Sequence, residues 1–276
     1  MAGNYNHGFG TGRIPFSLDR AGRPADNKDI GRIQTAPKGA CPMKAKQGLY
    51  MDLARDILAR EGRPLPALTQ LPPDFYQRTA IEVARDLLGK YCLIQRRGFP
   101  QTVCRIVETE AYMGVADKAA NTSGGRRTPR TEILYGPGGG VFIYLTYGMY
   151  HCLNIVCNRP EIPEAALIRA VEPVQGLDAM CLARFGCTAV EIVEKKGPKT
   201  LLGLTNGPGK LCQALGLSRK DSDINLFNSF FHIAEEKPAS DFQMVETTRI
   251  GVESAGEDAL LPYRYYIAGN PFVSRL

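Results

Sequence analysis

Apolar positions along the chain fall mostly into short β-prone runs punctuated by Gly, Pro and charged residues, and only a few stretches carry helical spacing. The runs at 91–95, 103–108, 141–146, 152–157 and 165–171 predict strands, and 230–233, 247–252 and 263–267 add three late ones. Gly98 and Pro100 suit a hairpin between the first two. Helical spacing appears in Leu49, Leu53, Ile57 and Leu58, ending at Gly62. It recurs in Ile81, Ala84, Leu87 and Leu88, with Asp74 as the expected cap and Gly89 as the stop. Residues 175–184 and 208–215 read as helices, the latter with Pro208 in its first turn and Gly216 beyond it. Many strand-to-strand gaps are too short for helical crossovers. The expected fold class is therefore α+β, a single compact domain built on a mixed, largely antiparallel sheet with a few helices.

Residues 1–46 are rich in Gly, Asn, Asp, Lys and Pro and lack clustered apolar positions, so they are expected to form a disordered basic arm. Residues 47–66 are read as a short helix and a Pro-rich linker that runs on to Pro73, and 67–276 as the functional domain. The charge follows this division. The formal net charge is +6, but residues 1–66 hold 11 Lys and Arg against 6 Asp and Glu, leaving 23 against 22 for the rest. A surface for an anionic partner must then come from local clustering and not from a uniformly basic domain.

The eight cysteines form no C-x-x-C pair, several lie inside apolar runs, and the three histidines are scattered. Buried free thiols and no metal or other cofactor are the expectation. No apolar run approaches a membrane span, and residues 1–50 lack the pattern of a secretory signal. A soluble protein in a reducing compartment is expected.

The chemistry concentrates between Val103 and Asn154. If the strand there continues, its period of two places Glu108, Glu110 and Tyr112 on one face. Arg126, Arg127 and Arg130 form a basic loop with the look of a phosphate clamp. Tyr144, Tyr147 and Tyr150 recur at intervals of three around Gly148. Carboxylates, a cationic loop and aromatics point to one site for a phosphate-bearing aromatic ligand, a description that nucleic acid fits. Spacing alone does not choose between Glu108 and Glu110 as the reactive carboxylate.

Several of these segments also carry a resemblance. They are Glu108-Thr109-Glu110-Ala111-Tyr112, Arg126-Arg127-Thr128-Pro129-Arg130, and Tyr144 with Tyr147-Gly148-Met149-Tyr150 and the downstream Asn154. Further on come Leu167-Ile168-Arg169-Ala170-Val171-Glu172-Pro173, Gly207-Pro208-Gly209-Lys210 with the residues to Leu215, Arg249-Ile250-Gly251-Val252, and Gly269 to Ser274. In that order, over residues 68–274, they resemble the 3-methyladenine (alkyladenine) DNA glycosylase family.

The resemblance implies a compact single-domain fold and a monofunctional glycosylase. Such an enzyme flips alkylated or deaminated purines out of double-stranded DNA and hydrolyses the N-glycosidic bond, leaving an abasic site. It implies Glu110 as the water-activating base, with Glu108 as a structural partner salt-bridged to an arginine. Tyr147 is then the wedge that fills the gap in the duplex. Tyr112 and Tyr144 hold the flipped base, Asn154 obstructs the amine of normal guanine, and Arg169 lines the pocket mouth and approaches phosphate; pairing with Glu172 is the plainer account of that arginine. Arg126, Thr128, Arg130, Met149, Tyr150 and Lys210 contact the DNA backbone.

One base-pocket position departs from the pattern: Asn121 stands where most of the family has histidine, and it has neither an aromatic face nor a titratable charge near neutral pH. Release of cationic lesions such as 3-methyladenine is expected to survive this change better than release of ethenoadenine or hypoxanthine. A damaged-DNA-binding protein with little activity and a nucleosidase for small nucleosides are the alternative readings. A monomer is expected, acting in the nucleus or an organelle of a eukaryote or in the bacterial cytoplasm.

Overall fold

The computed structural model describes residues 42–275. The arm expected over 1–46 lies almost entirely outside them, as does Cys41. The elements in chain order are α1 (Pro42–Arg60), β1 (Leu68–Gln70), α2 (Pro73–Tyr76), α3 (Ala80–Asp86), β2 (Tyr91–Ile94), β3 (Thr102–Tyr112), β4 (Val141–Thr146), β5 (Tyr150–Cys157) and β6 (Glu164–Gln175). They continue with α4 (Leu177–Phe185), α5 (Ala189–Lys196), α6 (Pro198–Leu202), α7 (Pro208–Ala214), β7 (Phe231–Glu236), β8 (Met244–Thr247) and β9 (Arg264–Ile267). Short 3₁₀ turns fill much of the loop between β3 and β4.

All nine strands join one sheet, and every pairing is antiparallel. The main path runs β1-β7-β2-β3-β6-β5-β4. The long strand β3 has three neighbours: β6 lies along one edge, while β2 covers the first half and β9 the second half of the other. This arrangement leaves Glu108 to Glu110 flanked on both sides by strands. Register shifts on either side of Glu108 mark β-bulges, a device that re-aims side chains where a regular pleat would not bring them together.

The core is continuous with the sheet. Ile106, Leu153, Ile155, Ile168, Phe231 and Phe272 are fully buried, and Ala54 and Ile57 of α1 join them. Thr109 faces α3, where its hydroxyl donates to the Ala84 carbonyl at 2.7 Å, so the neighbouring even-numbered residues of β3 turn to the opposite face. Six described cysteines are buried and Cys187 is half-buried, in accord with the apolar reading of the thiols.

Several boundaries differ from expectation, each for a local reason. The helix expected from Asp74 is two helices. Asp74 lies inside α2, and Thr79 restarts the chain with a capping box in which the Thr79 amide donates to Glu82 and the Glu82 amide to the Thr79 hydroxyl. The linker contains β1, which pairs with β7. Helices α5 and α6 were not anticipated, although Thr188 and Glu191 form another capping box. The strand expected at 247–252 is displaced. β8 ends at Thr247, because Ile250 sends its N–H to a carboxylate instead of a ladder and Gly251 turns the chain at φ +76°.

Candidate active site

The second half of β3 delivers two carboxylates into the interior. Glu108 and Glu110 are both wholly buried. Arg169, on the neighbouring strand β6 and only 7% exposed, reaches both, with Nε 3.0 Å from Glu108 and Nη1 3.2 Å from Glu110. Arg264 of β9 donates from Nε to Glu108 at 2.8 Å. Two acids and two guanidiniums thus form a formally neutral buried cluster, the condition under which buried charge is tolerated. The arginine partner expected for Glu108 is present twice over. Pairing of Arg169 with Glu172 does not occur: Glu172 binds Arg60 and accepts from Asn270 at 2.8 Å.

Glu110 keeps a distinct environment. One oxygen accepts from the Ile250 amide at 2.8 Å, and the other from the Tyr112 hydroxyl at 2.8 Å. Burial pushes its carboxyl above the ordinary range, against the opposing pull of Arg169 and these hydrogen bonds. Burial likewise raises the Tyr112 phenol, and the charge of Glu110 adds to it, so Tyr112 stays a donor to the carboxylate.

Beyond Tyr112 lies a narrow cleft lined by Tyr112, Asn121, Phe142, Tyr144, Asn154 and Ala165 among others. Phe142 stacks near the Tyr144 ring, with centroids 5.5 Å apart. Asn154 is buried and donates to the carbonyls of Phe142 (3.2 Å) and Cys152 (3.1 Å), which fixes its amide. The Asn121 Oδ1 accepts from Arg130 at 3.4 Å. Three surface hollows are larger, but none is lined by Tyr112, whose hydroxyl bonds Glu110, or by the paired Phe142 and Tyr144 rings. Chemistry, not volume, selects the cleft.

The turn between β4 and β5 carries the most exposed aromatic of the described residues. Tyr147 is 80% exposed at φ +51°, a left-handed conformation uncommon for a bulky residue, and Met149 (63%) and Tyr150 (43%) sit beside it. Tyr150 leans on α7 at Gly209, where a Cβ would come within 2.7 Å of its ring. Lys210 follows, exposed, donating to Asn206 at 2.7 Å. Of the basic loop, Arg126 and Arg130 are exposed and form no ion pair among the described residues. Arg127 pairs with both Glu132 and Glu161 at 2.6 Å, so its charge is spent internally. The Thr128 amide donates to the Thr131 hydroxyl at 2.9 Å, which shapes the loop.

A family model described as methylpurine-DNA glycosylase matches residues 74–271, from α2 to the segment that follows β9. The chain belongs to the methylpurine-DNA glycosylase family. A Bacillus cereus (strain B4264) protein bearing the provisional name 3-methyladenine DNA glycosylase is 42% identical over 215 residues, covering 75% of this chain and 99% of that one. A Clostridium acetobutylicum protein with the same provisional name is 43% identical over 203 residues, covering 74% and 96%. A Bacillus thuringiensis (strain Al Hakam) relative is 41% identical over 215 residues.

The family match and the resemblance in the motifs agree. The residues that build the site without having been singled out are Arg249, Arg264, Ile250 and Ser274. Arg249 lies over the Tyr112 ring at 4.9 Å and pairs with Asp117, with Nη2 2.9 Å from Oδ1. The only signal for Arg249, Ile250 and Ser274 was membership in two C-terminal segments of the resemblance, and for Arg264 its place in the strand expected at 263–267. No spacing rule connects residues about 140 or more positions from their partners, such as Ile250 and Glu110.

Proposed function

We propose that this protein is a monofunctional glycosylase that excises alkylated purines from duplex DNA, with 3-methyladenine among its substrates, and that Glu110 activates the attacking water. The observation that carries the reading is the placement of Glu110: wholly buried, bonded by Tyr112 and the Ile250 amide, and next to an aromatic cleft whose hairpin neighbour exposes Tyr147.

Breaking the N-glycosidic bond leaves oxocarbenium character on the sugar. A carboxylate whose pKa burial raises is a better proton acceptor from water, and its ionised form stabilises that charge. The damaged base first leaves the stack, at a cost of a few kcal/mol. Tyr147 fills the gap, and its left-handed backbone is the strain expected of a residue presented outward for contact. Tyr112 and Tyr144 hold the base, with stacking of about 1–3 kcal/mol per base. Asn154, its amide anchored by two carbonyls, presents a fixed edge against the amine of normal guanine. Arg169 is spent on the carboxylates, so its role is to hold them and not to meet phosphate at the pocket mouth. Arg126, Thr128, Arg130, Met149, Tyr150 and Lys210 face the backbone.

Asn121 lacks the charge and ring of histidine, and the reading keeps cationic lesions as the better substrates. The enzyme works as a monomer on one lesion at a time. The named relatives are bacterial, and no helix among the described residues is long and apolar enough to cross a membrane, which favours action at the bacterial chromosome.

The test is base release from duplexes carrying methylated purines, hypoxanthine or ethenoadenine, by the parent and by Glu110→Gln. The variant should lose about 10²- to 10⁴-fold in rate, and 3-methyladenine should outrank ethenoadenine. Absence of release from every lesion overturns the enzyme reading; equal release by both proteins overturns the choice of Glu110.

A further inference from the structure

Two buried carboxylates share one arginine, yet their surroundings differ in kind. Glu108 Oε1 accepts from Arg169 Nε (3.0 Å), Arg264 Nε (2.8 Å) and Ser274 Oγ (2.8 Å), and Oε2 accepts from the Ser274 amide at 2.6 Å. Four donors from three separate segments bond this carboxylate, three of them on Oε1. Glu108 is thus tied to β6, β9 and the C-terminal segment at once. Glu110 has three partners and faces the cleft through Tyr112. Arg169 spans the two, with Nε on Glu108 and Nη1 on Glu110, so the position of its guanidinium is set from the Glu108 side.

We propose that Glu108 is a positioning residue for base release: by gathering Arg169, Arg264 and Ser274 on one carboxylate, it fixes the guanidinium that faces Glu110 and clamps the C-terminal segment behind the site. This rests on the reading in which Glu110 is the base. The C-terminal segment thereby becomes part of the catalytic support, with Ser274 as its contact and Phe272 buried beside it in the core.

The arrangement has a consequence for pH. Glu110 is faced by Arg169 from β6, Arg264 from β9 as its register partner, Arg249 from the segment after β8, Tyr144 from β4 and Cys152 from β5, with Glu108 and Tyr112 on its own strand. Of these, Glu108 repels the Glu110 charge and also draws on Arg169. Removing its charge leaves Arg169 to Glu110 alone and ends the repulsion. Both changes hold Glu110 ionised to lower pH.

The experiment measures single-turnover base release from a duplex carrying one methylated purine, as a function of pH, for the parent, Glu108→Gln, Ser274→Ala and Ser274→Thr, together with titration of the Glu110 side-chain carbon by ¹³C NMR. Glu108→Gln should lose part of the plateau rate, and much less than Glu110→Gln, with its acid limb and the Glu110 titration both moved to lower pH. Ser274→Ala should lose about tenfold in plateau rate, the equivalent of one hydrogen bond to a charged group, with unchanged affinity for the duplex, and Ser274→Thr should restore it. Should Glu108→Gln not fold, the serine pair carries the test. An acid limb and Glu110 titration that overlay the parent's, with the Ser274→Ala plateau intact, overturn the proposal. So does a Glu108→Gln variant as inactive as Glu110→Gln whose Glu110 titration has not moved. A parent that releases no base sinks the glycosylase reading instead, and the NMR titration still judges the link between Glu108 and Glu110.

Discussion

At Glu110 the same burial that tunes the carboxylate also works against the fold. Its pKa is raised by desolvation, so in the folded state the ionised form is disfavoured relative to the unfolded chain. Above the raised value both states are ionised and the folded protein carries the full penalty; as pH falls through that value the folded state takes up its proton and the penalty is relieved. Glu110→Gln, neutral throughout, should therefore melt at a higher temperature than the parent at neutral to mildly alkaline pH, with the gain shrinking as pH falls. Arg169 keeps Glu108 as its partner in the variant, while the cluster of Arg169, Arg264 and Glu108 carries one net positive charge that offsets part of the gain. Thermal melts across pH check this, and a variant less stable than the parent at pH 8 would contradict it. Residue identity made Glu110 visible beforehand, but only as one of two candidates, because alternation puts both acids on one face and says nothing of which oxygen atoms are already taken.

At the scale of elements, two features carry the site: the long central strand and the β4–β5 hairpin. β3 was legible as an apolar run with acids at its end, but its bulges around Glu108 and its change of neighbour from β2 to β9 were not. Those depend on where β9 docks, more than 150 residues later. The hairpin was legible in Tyr147-Gly148, and its three-residue turn puts Tyr147 in a left-handed conformation that costs a non-glycine residue about 1–3 kcal/mol. Tyr147→Gly should consequently raise stability, by roughly 0.5–1 kcal/mol, while lowering excision from duplex DNA. Denaturant unfolding and base-release assays on one preparation test both halves. A variant that is destabilised, or that excises as well as the parent, would remove Tyr147 from the wedge role.

For the whole molecule, the excess charge matters less than its pairing. Twelve described arginines and lysines stand in ion pairs. Arg126, Arg130 and Lys210 do not; Arg130 reaches the hairpin through Asn121 beside Tyr144 on β4, and Lys210 follows Gly209, which packs against Tyr150 on β5. Cations without an acid partner are free to displace counterions from phosphate. Arg126→Ala and Lys210→Ala should each weaken binding to lesion-bearing duplex and lower the slope of log affinity against log salt by about 0.9. A slope equal to the parent's would take that residue off the backbone contacts. Arg127 looks equivalent in sequence, and only the approach of Glu161 shows that its charge is already used.

Local sequence was sufficient for the strand-rich class, most helices, the hairpin turns and the ordered motifs that mark the family, because these depend on side-chain period, turn chemistry and residue type within a few positions. It could have yielded α3 and α5 in full, since both capping boxes are written in four residues. Tertiary structure alone decided which carboxylate is clamped by two arginines and the C-terminal segment and which bonds the cleft's Tyr112, since the partners of Glu108 and Glu110 come from β6, β9, the turn after β8 and the last described residues. Hydrogen bonds across such separations are fixed by how strands dock, and docking is a property of the whole buried surface that no window of the chain contains.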